Sequence, residues 1–291
     1  MKNSPFIGPS VIVAALMATA MVSCELINPD ETVPAFLKID SISLSTSAGE
    51  GHPVHNIVDA WVYDNDQLLG IYELPALVPV LKNGVSTIRV RAGIKLNGQV
   101  GTRIPLLYTI DHEAEMELFP DSILPLNPTL TYKEDVTFAW LEDFDQTGLS
   151  LSSSPNSSAT VERVAGAEAY DGNSLKMALN STQDNFECRT ISNYELSTSG
   201  SAVSPIILEF TYRCNHPFVV GLYSYYPGGS VQVPIIVLNP TETWNHVYVN
   251  LTDAVSANAN YFEHQPFFGF VRAEGYDGEL EVYLDNIRML R

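Results

Sequence analysis

Short apolar-alternating runs separated by turn signals recur along most of the chain, and no stretch sustains a 3.6-residue apolar period between helix caps. Runs of this kind bury one face of a pleated sheet and cannot form an amphipathic helix, so the sequence predicts an all-β protein of sandwiches or jelly rolls. In the first half, strands are expected over 36–45, 59–63, 68–74, 87–94 and 103–110. Their hairpins are marked by Asp64-Asn65-Asp66-Gln67, by Asn83-Gly84 and by Asn97-Gly98, residues that tolerate left-handed backbone angles. A cluster of prolines, Pro120, Pro125 and Pro128, punctuates the middle of the chain. Proline-dense backbone is extended and semi-rigid, which places a boundary there, between a sandwich over 36–130 and a second domain over 133–291. Two domains are what 291 residues support, and 45% hydrophobic residues are enough for packed cores.

Charge narrows the partners. Acidic side chains number 34 against 15 basic, a formal net charge of −19. Neutralising phosphates needs a Lys/Arg surface, so a nucleic-acid partner is excluded, and so is an electrostatic grip on anionic lipid. A membrane attachment would have to be covalent. The first residues supply one: Lys2 and Asn3, then an apolar run over 11–22 too short to span a bilayer, then Met21-Val22-Ser23-Cys24. This resembles the lipobox of bacterial lipoproteins, with Met in place of the usual Leu. The resemblance implies removal of a signal peptide, residues 1–23, and diacylation of Cys24, including a palmitate-type chain, with residues 24–35 as a tether. Two acyl chains suffice for stable anchoring. Asp30-Glu31 resembles the acidic export signal of Bacteroidetes surface lipoproteins. Asp40-Ser41-Ile42 and Asp121-Ser122-Ile123 resemble that phylum's O-glycosylation sequon, which makes Ser41 and Ser122 candidate glycosylation sites. Together these imply an outer-membrane, cell-surface location.

Residues 60–93, AWVYDNDQLLGIYELPALVPVLKNGVSTIRVRAG, resemble PEGA and related immunoglobulin-like β-domains, modules that space and present other domains. The second half is more specific. FAWLEDFD (138–145), AYDGNSLKMAL (169–179), IILEFTYRC (206–214), WNHVYVNL (244–251) and EVYLDNIRML (281–290) follow in that order. Together they resemble the galactose-binding-like jelly roll common among carbohydrate-binding modules. That family's structural Ca²⁺ would fall on Glu142, Asp143, Asp171, Asn173 and Asp285, a plausible hard-oxygen set, although Asp171 and Asp285 also serve as plain turn and strand-edge residues. Trp244 stands at the family's late core Trp, and Trp61 and Trp140 read as core or interdomain packing.

Tyr223, Tyr225 and Tyr226 precede Pro227-Gly228-Gly229. Alternation places Tyr223 and Tyr225 on one face and Leu222 and Ser224 on the other, so an exposed aromatic platform for sugar rings is expected, against the plain abundance of Tyr in sheets. With Cys24 lipidated, Cys188 and Cys214 are an even pair in an oxidising compartment, a candidate disulfide or two free buried thiols. His52 and His55 lie in a Gly-rich turn and read as solvated. No nucleophile elbow, phosphate loop or HExxH metalloprotease motif is present, and the adjacency of Cys214 and His216 has no spacing rule behind it, so the chain reads as non-enzymatic. The leading expectation is glycan binding at the cell surface with the first domain as spacer. The alternative is a structural accessory subunit of an outer-membrane protein assembly, docking through apolar runs such as 231–238.

Overall fold

The computed structural model describes residues 32–197, 205–257 and 260–291. The chain is all-β. The first half holds β1 (Ala35–Ile39), β2 (Ser43–Leu44), β3 (Asp59–Asp64), β4 (Gln67–Glu73), β5 (Ala76–Val80), β6 (Gly84–Lys95), β7 (Arg103–Pro105), β8 (His112–Leu118), β9 (Ile123–Pro125) and β10 (Thr129–Leu130). One sheet runs β4-β3-β6-β7, with β8 on the opposite end of the long β6, and it faces the smaller sheets β5-β1-β9 and β2-β10. Alternate residues Leu37 and Ile39, Val78 and Val80, and Ile88 and Val90 are all but sealed from solvent and fill the space between. The expected hairpins form at Asn65-Asp66 (φ 44° and 69°) and Asn97-Gly98 (φ 55° and 64°). The proline-punctuated stretch is not a linker: β9 and β10 pair in parallel with β1 and β2 and complete the first sandwich.

The second half is a jelly roll of two antiparallel sheets. Its strands are β11 (Phe138–Glu142), β12 (Leu151–Ser153), β13 (Glu162–Ala165), β14 (Asn173–Leu179), β15 (Asn185–Thr190), β16 (Ile207–Cys214), β17 (Phe218–Tyr226), β18 (Gly229–Leu238), β19 (Thr241–Asn250), β20 (Glu263–Val271) and β21 (Leu280–Leu290), with one short helix, α1 (Thr252–Ser256). The six-stranded sheet runs β13-β14-β21-β16-β19, with β11 beside the end of β21; the five-stranded sheet runs β12-β15-β20-β17-β18. Between them lie Leu175, Met177, Leu208, Phe210, Val220, Leu222 and Phe268, contributed in alternation by strands of both sheets.

The other face of the six-stranded sheet carries the first half. Ile207, Tyr248 and Leu290 belong to the first sandwich's core and not to the jelly roll's. Alternation explains the partition: Leu208 and Phe210 point into the jelly roll while Ile207, Glu209 and Thr211 point out of it. The contact is also hydrogen-bonded. Asn97 N–H donates to the Tyr248 carbonyl at 2.7 Å, the Tyr108 hydroxyl to the Leu290 carbonyl at 3.2 Å, and Asn56 N–H to the Tyr248 hydroxyl at 2.9 Å.

At its centre Arg288 pairs with Glu209, both 2% exposed, and the Arg288 guanidinium also donates to the carbonyls of His52 (2.8 Å) and Val54. Burial works to raise the Glu209 carboxyl, but Arg288, His246 and the Tyr132 hydroxyl outweigh it and hold it below the carboxylate range. Burial keeps His246 and His55 below the ordinary histidine value. His55 is therefore not freely solvated, whereas the His52 side chain remains 40% exposed; their loop is held between the two halves by Arg288.

Candidate glycan-binding face

The first half covers one sheet of the jelly roll and leaves the outer face of the other open among the described residues. On β17, Phe218, Val220, Leu222 and Ser224 point inward, so Tyr223 and Tyr225 point out. Register brings partners beside them: Tyr223 stands opposite Gln265 on β20 and Gln232 on β18, and Gly221 stands opposite Phe267. One strand further, Arg189 on β15 lies opposite Phe267 and Glu187 opposite Gly269.

These side chains form one connected polar and aromatic surface. Glu187 accepts from the Tyr223 hydroxyl (2.9 Å), from Gln232 (2.7 Å) and from the Ser154 hydroxyl (2.6 Å). The Arg189 guanidinium lies 5.1 Å from the centre of the Tyr223 ring and donates to the Tyr225 hydroxyl at 3.4 Å. Tyr225 donates to Gln265, whose amide is fixed in turn by the Thr190 carbonyl at 2.8 Å. Tyr223 and Phe267 meet edge to face at 5.4 Å. Burial, reinforced by the neighbouring Glu187 carboxylate, pushes the Tyr223 hydroxyl up to about 12, so it stays protonated and remains a donor at neutral pH.

Gly221 is required here. A Cβ on it would meet the Val233 carbonyl oxygen at 2.4 Å and the Phe267 ring at 2.5 Å, so the ring lies directly over bare backbone. Phe267 (2% exposed) and Gln265 (6%) are covered by their neighbours, so the surface open to a ligand is that of Tyr223, Tyr225, Arg189, Glu187 and Gln232, held in fixed geometry. Such a surface can stack the C–H faces of a sugar and pair with its hydroxyls.

Of the expected platform, Tyr223 and Tyr225 take this place, but Tyr226 does not. It sits at the hairpin tip, 38% exposed, with its ring 6.3 Å from Tyr261. Sequence reasoning missed Arg189 and Glu187, although Asn185-Phe186-Glu187-Cys188-Arg189 alternates cleanly. It missed Gln265 and Phe267 because the apolar run 266–268 conceals which residues face outward.

The expected calcium ligands are drawn to one end of the jelly roll but do not close on a centre. Both Glu142 oxygens are taken, by Phe144 N–H (2.9 Å), Ser150 N–H (2.9 Å) and the Ser150 hydroxyl. Asp285 accepts from the Ser174 hydroxyl (2.6 Å) and from Asn286 N–H (2.6 Å), and its burial pushes it up to about 6. Asn173 donates its backbone and side-chain N–H to Asp145, while Asp143 and Asp171 face His52 at 3.7 and 3.9 Å. Among the described residues no three His, Cys, Asp or Glu side chains are placed to hold a metal ion.

Cys188 and Cys214 are free and buried, which corrects the disulfide expectation. The Cys188 sulfur touches the Met177 sulfur at 3.4 Å across the core, and Met177 pairs with Val282, which pairs with Cys214. Cys214 thus lies two strands along one sheet from the residue that Cys188 faces from the other. Two strand spacings and one sheet spacing, about 4.8 and 10 Å respectively, exceed the reach of a disulfide. Cys214 is pushed up to about 11 by burial, and His216 bonds the Val271 carbonyl, so they form no nucleophile pair.

Trp140 is in the core, donating to the Ser150 hydroxyl at 3.0 Å. Trp244 is outside it, half-buried beside Tyr170 and Arg213. Ser41 is exposed, whereas the Ser122 hydroxyl is bound to the Phe119 carbonyl at 2.6 Å. Cys24, the lipobox and Asp30-Glu31 lie outside the described residues.

No protein-family model and no curated protein sequence matches the chain. Among solved structures it is similar to a family 11 carbohydrate-binding module from Clostridium thermocellum in complex with a β-1,3-1,4-mixed-linked tetrasaccharide. The identity is 13% and the TM-score 0.37, over 53% of this chain and 94% of that one. It is similar also to a xylan-binding family 22 module, at 13% identity and TM-score 0.34, over 53% and 95%. A third likeness is to the enzymatically active domain of tailspike protein 4 of bacteriophage CBA120, at 12% identity and TM-score 0.40, over 58% and 26%.

Proposed function

We propose that the chain is a non-catalytic surface protein that binds a glycan along the outer face of the five-stranded sheet and is held at the outer membrane by lipid on Cys24. The observation that carries this reading is the single face on which Tyr223 and Tyr225 stand interleaved with Arg189, Glu187 and Gln232, supported from beneath by the buried Phe267 and Gln265. An open sheet face suits a stretch of chain. Its one guanidinium is committed to aromatic and hydroxyl partners, which suits a neutral polysaccharide better than an acidic one.

Affinity electrophoresis of residues 24–291 bearing Cys24→Ser, through mixed-linkage β-glucan, xylan, galactan and mannan, tests it. Retardation is expected in at least one gel, with Tyr223→Ala and Arg189→Ala each weakening it about tenfold, equivalent to ~1.4 kcal/mol. Absence of retardation in all four, or retardation of both variants as strong as that of the parent protein, overturns the reading. Because the face lies apart from Glu142 and Asp285, chelating calcium is expected to leave the retardation unchanged.

The accessory-subunit reading has one observation in its favour. Among the described residues β18 is an edge strand paired only with β17, and it exposes Val237 (56%), while Val233 and Ile235 pack against the core. Recovery of a stoichiometric protein partner from solubilised membranes, lost on placing Lys at Val237, would favour it.

A further inference from the structure

A cleft of about 520 Å³ opens where residues 49–52 of the first half overhang the end of the jelly roll. It is remote from the sheet face in the fold, lying against β11 and β21, and it belongs to neither half alone. Its floor is the bulge of β21 at Asn286, a residue held at φ 46° and only 6% exposed. The backbone N–H of Asn286 is bonded to Asp285, but its side-chain amide, with two donors and one acceptor, has no hydrogen-bond partner among the described residues. The amide opens onto the cleft and is not sealed in the core, so its donors and acceptor are free to meet a polar ligand there.

The walls narrow the chemistry of that ligand. Asp143 receives Asp145 N–H on one oxygen and turns the other toward the His52 imidazole at 3.7 Å, beyond hydrogen-bond reach, so that a hydroxyl seated beside both could bridge them. Gln146 and Thr147 add an amide and a hydroxyl at the rim, and Leu141 and Leu149 give an apolar side. The guanidinium groups at the cleft are spent on the protein: Arg288 on Glu209 and the carbonyls of His52 and Val54, Arg163 on the carbonyls of Gln146 and Gly148, which disfavours a phosphate or carboxylate. An ammonium group would meet one unshared carboxylate oxygen at most, since Glu142 is filled. Amide, imidazole and carboxylate against an apolar wall match a neutral ring bearing several hydroxyls.

We infer that this cleft is a second binding site, for a single neutral sugar unit, built jointly by the two halves of the chain. It stands independently of the sheet-face reading, and it makes the first half a contributor to binding instead of a spacer.

Saturation-transfer NMR on residues 24–291 with Cys24→Ser, using glucose, galactose, mannose, xylose and N-acetylglucosamine singly, tests it. At least one sugar is expected to show transfer that weakens about tenfold in affinity in both Asp143→Asn and Gln146→Ala and persists in Tyr223→Ala. Asp143→Asn keeps the acceptor for Asp145 N–H, and Gln146 is exposed, so both variants are expected to fold. Absence of transfer from all five sugars, or transfer that survives both cleft variants, overturns the site. Transfer lost in Tyr223→Ala, or displaced by calcium chloride or lysine methyl ester at stoichiometric concentration, overturns it equally.

Discussion

At the scale of single residues, the pair Glu209 and Arg288 shows how an apolar sheet tolerates charge. Both side chains are 2% exposed, and each is satisfied from the opposite half: Tyr132 donates to Glu209, and the carbonyls of His52 and Val54 receive Arg288. Removing one member strands the other, which typically costs about 3–5 kcal/mol, whereas replacing both by apolar residues is far milder. Arg288→Met is therefore expected to lower the unfolding free energy by about that amount, with Glu209→Leu in the same chain restoring most of it. Denaturant titration of the single and double variants checks this, and additive losses would contradict it. The sequence could show Glu209 only as one polar residue within an apolar run. That Arg288 stands beside it follows from the pairing register of β16 and β21, which no local pattern encodes. The aromatic face divides in the same way. Alternation made Tyr223 and Tyr225 legible, whereas their neighbours Arg189 and Gln265 depend on which strands are adjacent.

At the scale of elements, turns were legible and strand lengths less so. Asn-Gly and Asn-Asp pairs mark the hairpins because few other residues accept their backbone angles. The expected strand over 103–110 shrinks to β7, Arg103–Pro105, because Pro105 can donate no ladder bond and the chain turns away after it. The run over 36–45 splits into β1 and β2, which join different sheets. β8, with Glu at alternate positions, reads as polar loop until its other face is seen against β6. In the binding sheet, the close approach of β17 and β20 depends on Gly221. Gly221→Ala is expected to cost roughly 1–3 kcal/mol by forcing Phe267 and β18 aside. It should also weaken polysaccharide retardation more than the stability loss explains, as measured by affinity electrophoresis at a temperature where the variant is fully folded. Unchanged stability would show that the ring does not lie on the backbone.

At the scale of the whole molecule, the halves share a core, a ladder contact and the hydrogen bonds by which the first half satisfies the buried Glu209–Arg288 pair, so they are expected to unfold in one calorimetric transition, not two. Acid should loosen them. His55 and His246 are held below the ordinary histidine value, and burial holds His264 down to about 4. In the unfolded chain these histidines take protons near pH 6.5 while the folded ones do not, so stability falls as pH drops through that value. Glu209, held low, adds its own loss at more acid pH. Asp285 acts in the opposite sense: raised to about 6, it binds its proton earlier when folded and gains stability as pH falls toward 4. With three histidines against one aspartate, the melting temperature is expected to drop from pH 7.5 to 5, and less steeply in His246→Asn. A rise over that interval would assign control to Asp285.

The central claim concerns one face of one sheet, and mapping the ligand onto the chain tests it most directly. Backbone amide shifts would be followed by NMR during titration with an oligosaccharide of whichever polysaccharide retards the protein most. The largest changes are predicted over residues 187–189, 223–225 and 265–267, on three adjacent strands. Changes concentrated on 231–238 or within the first sandwich, with 223–225 silent, would contradict it.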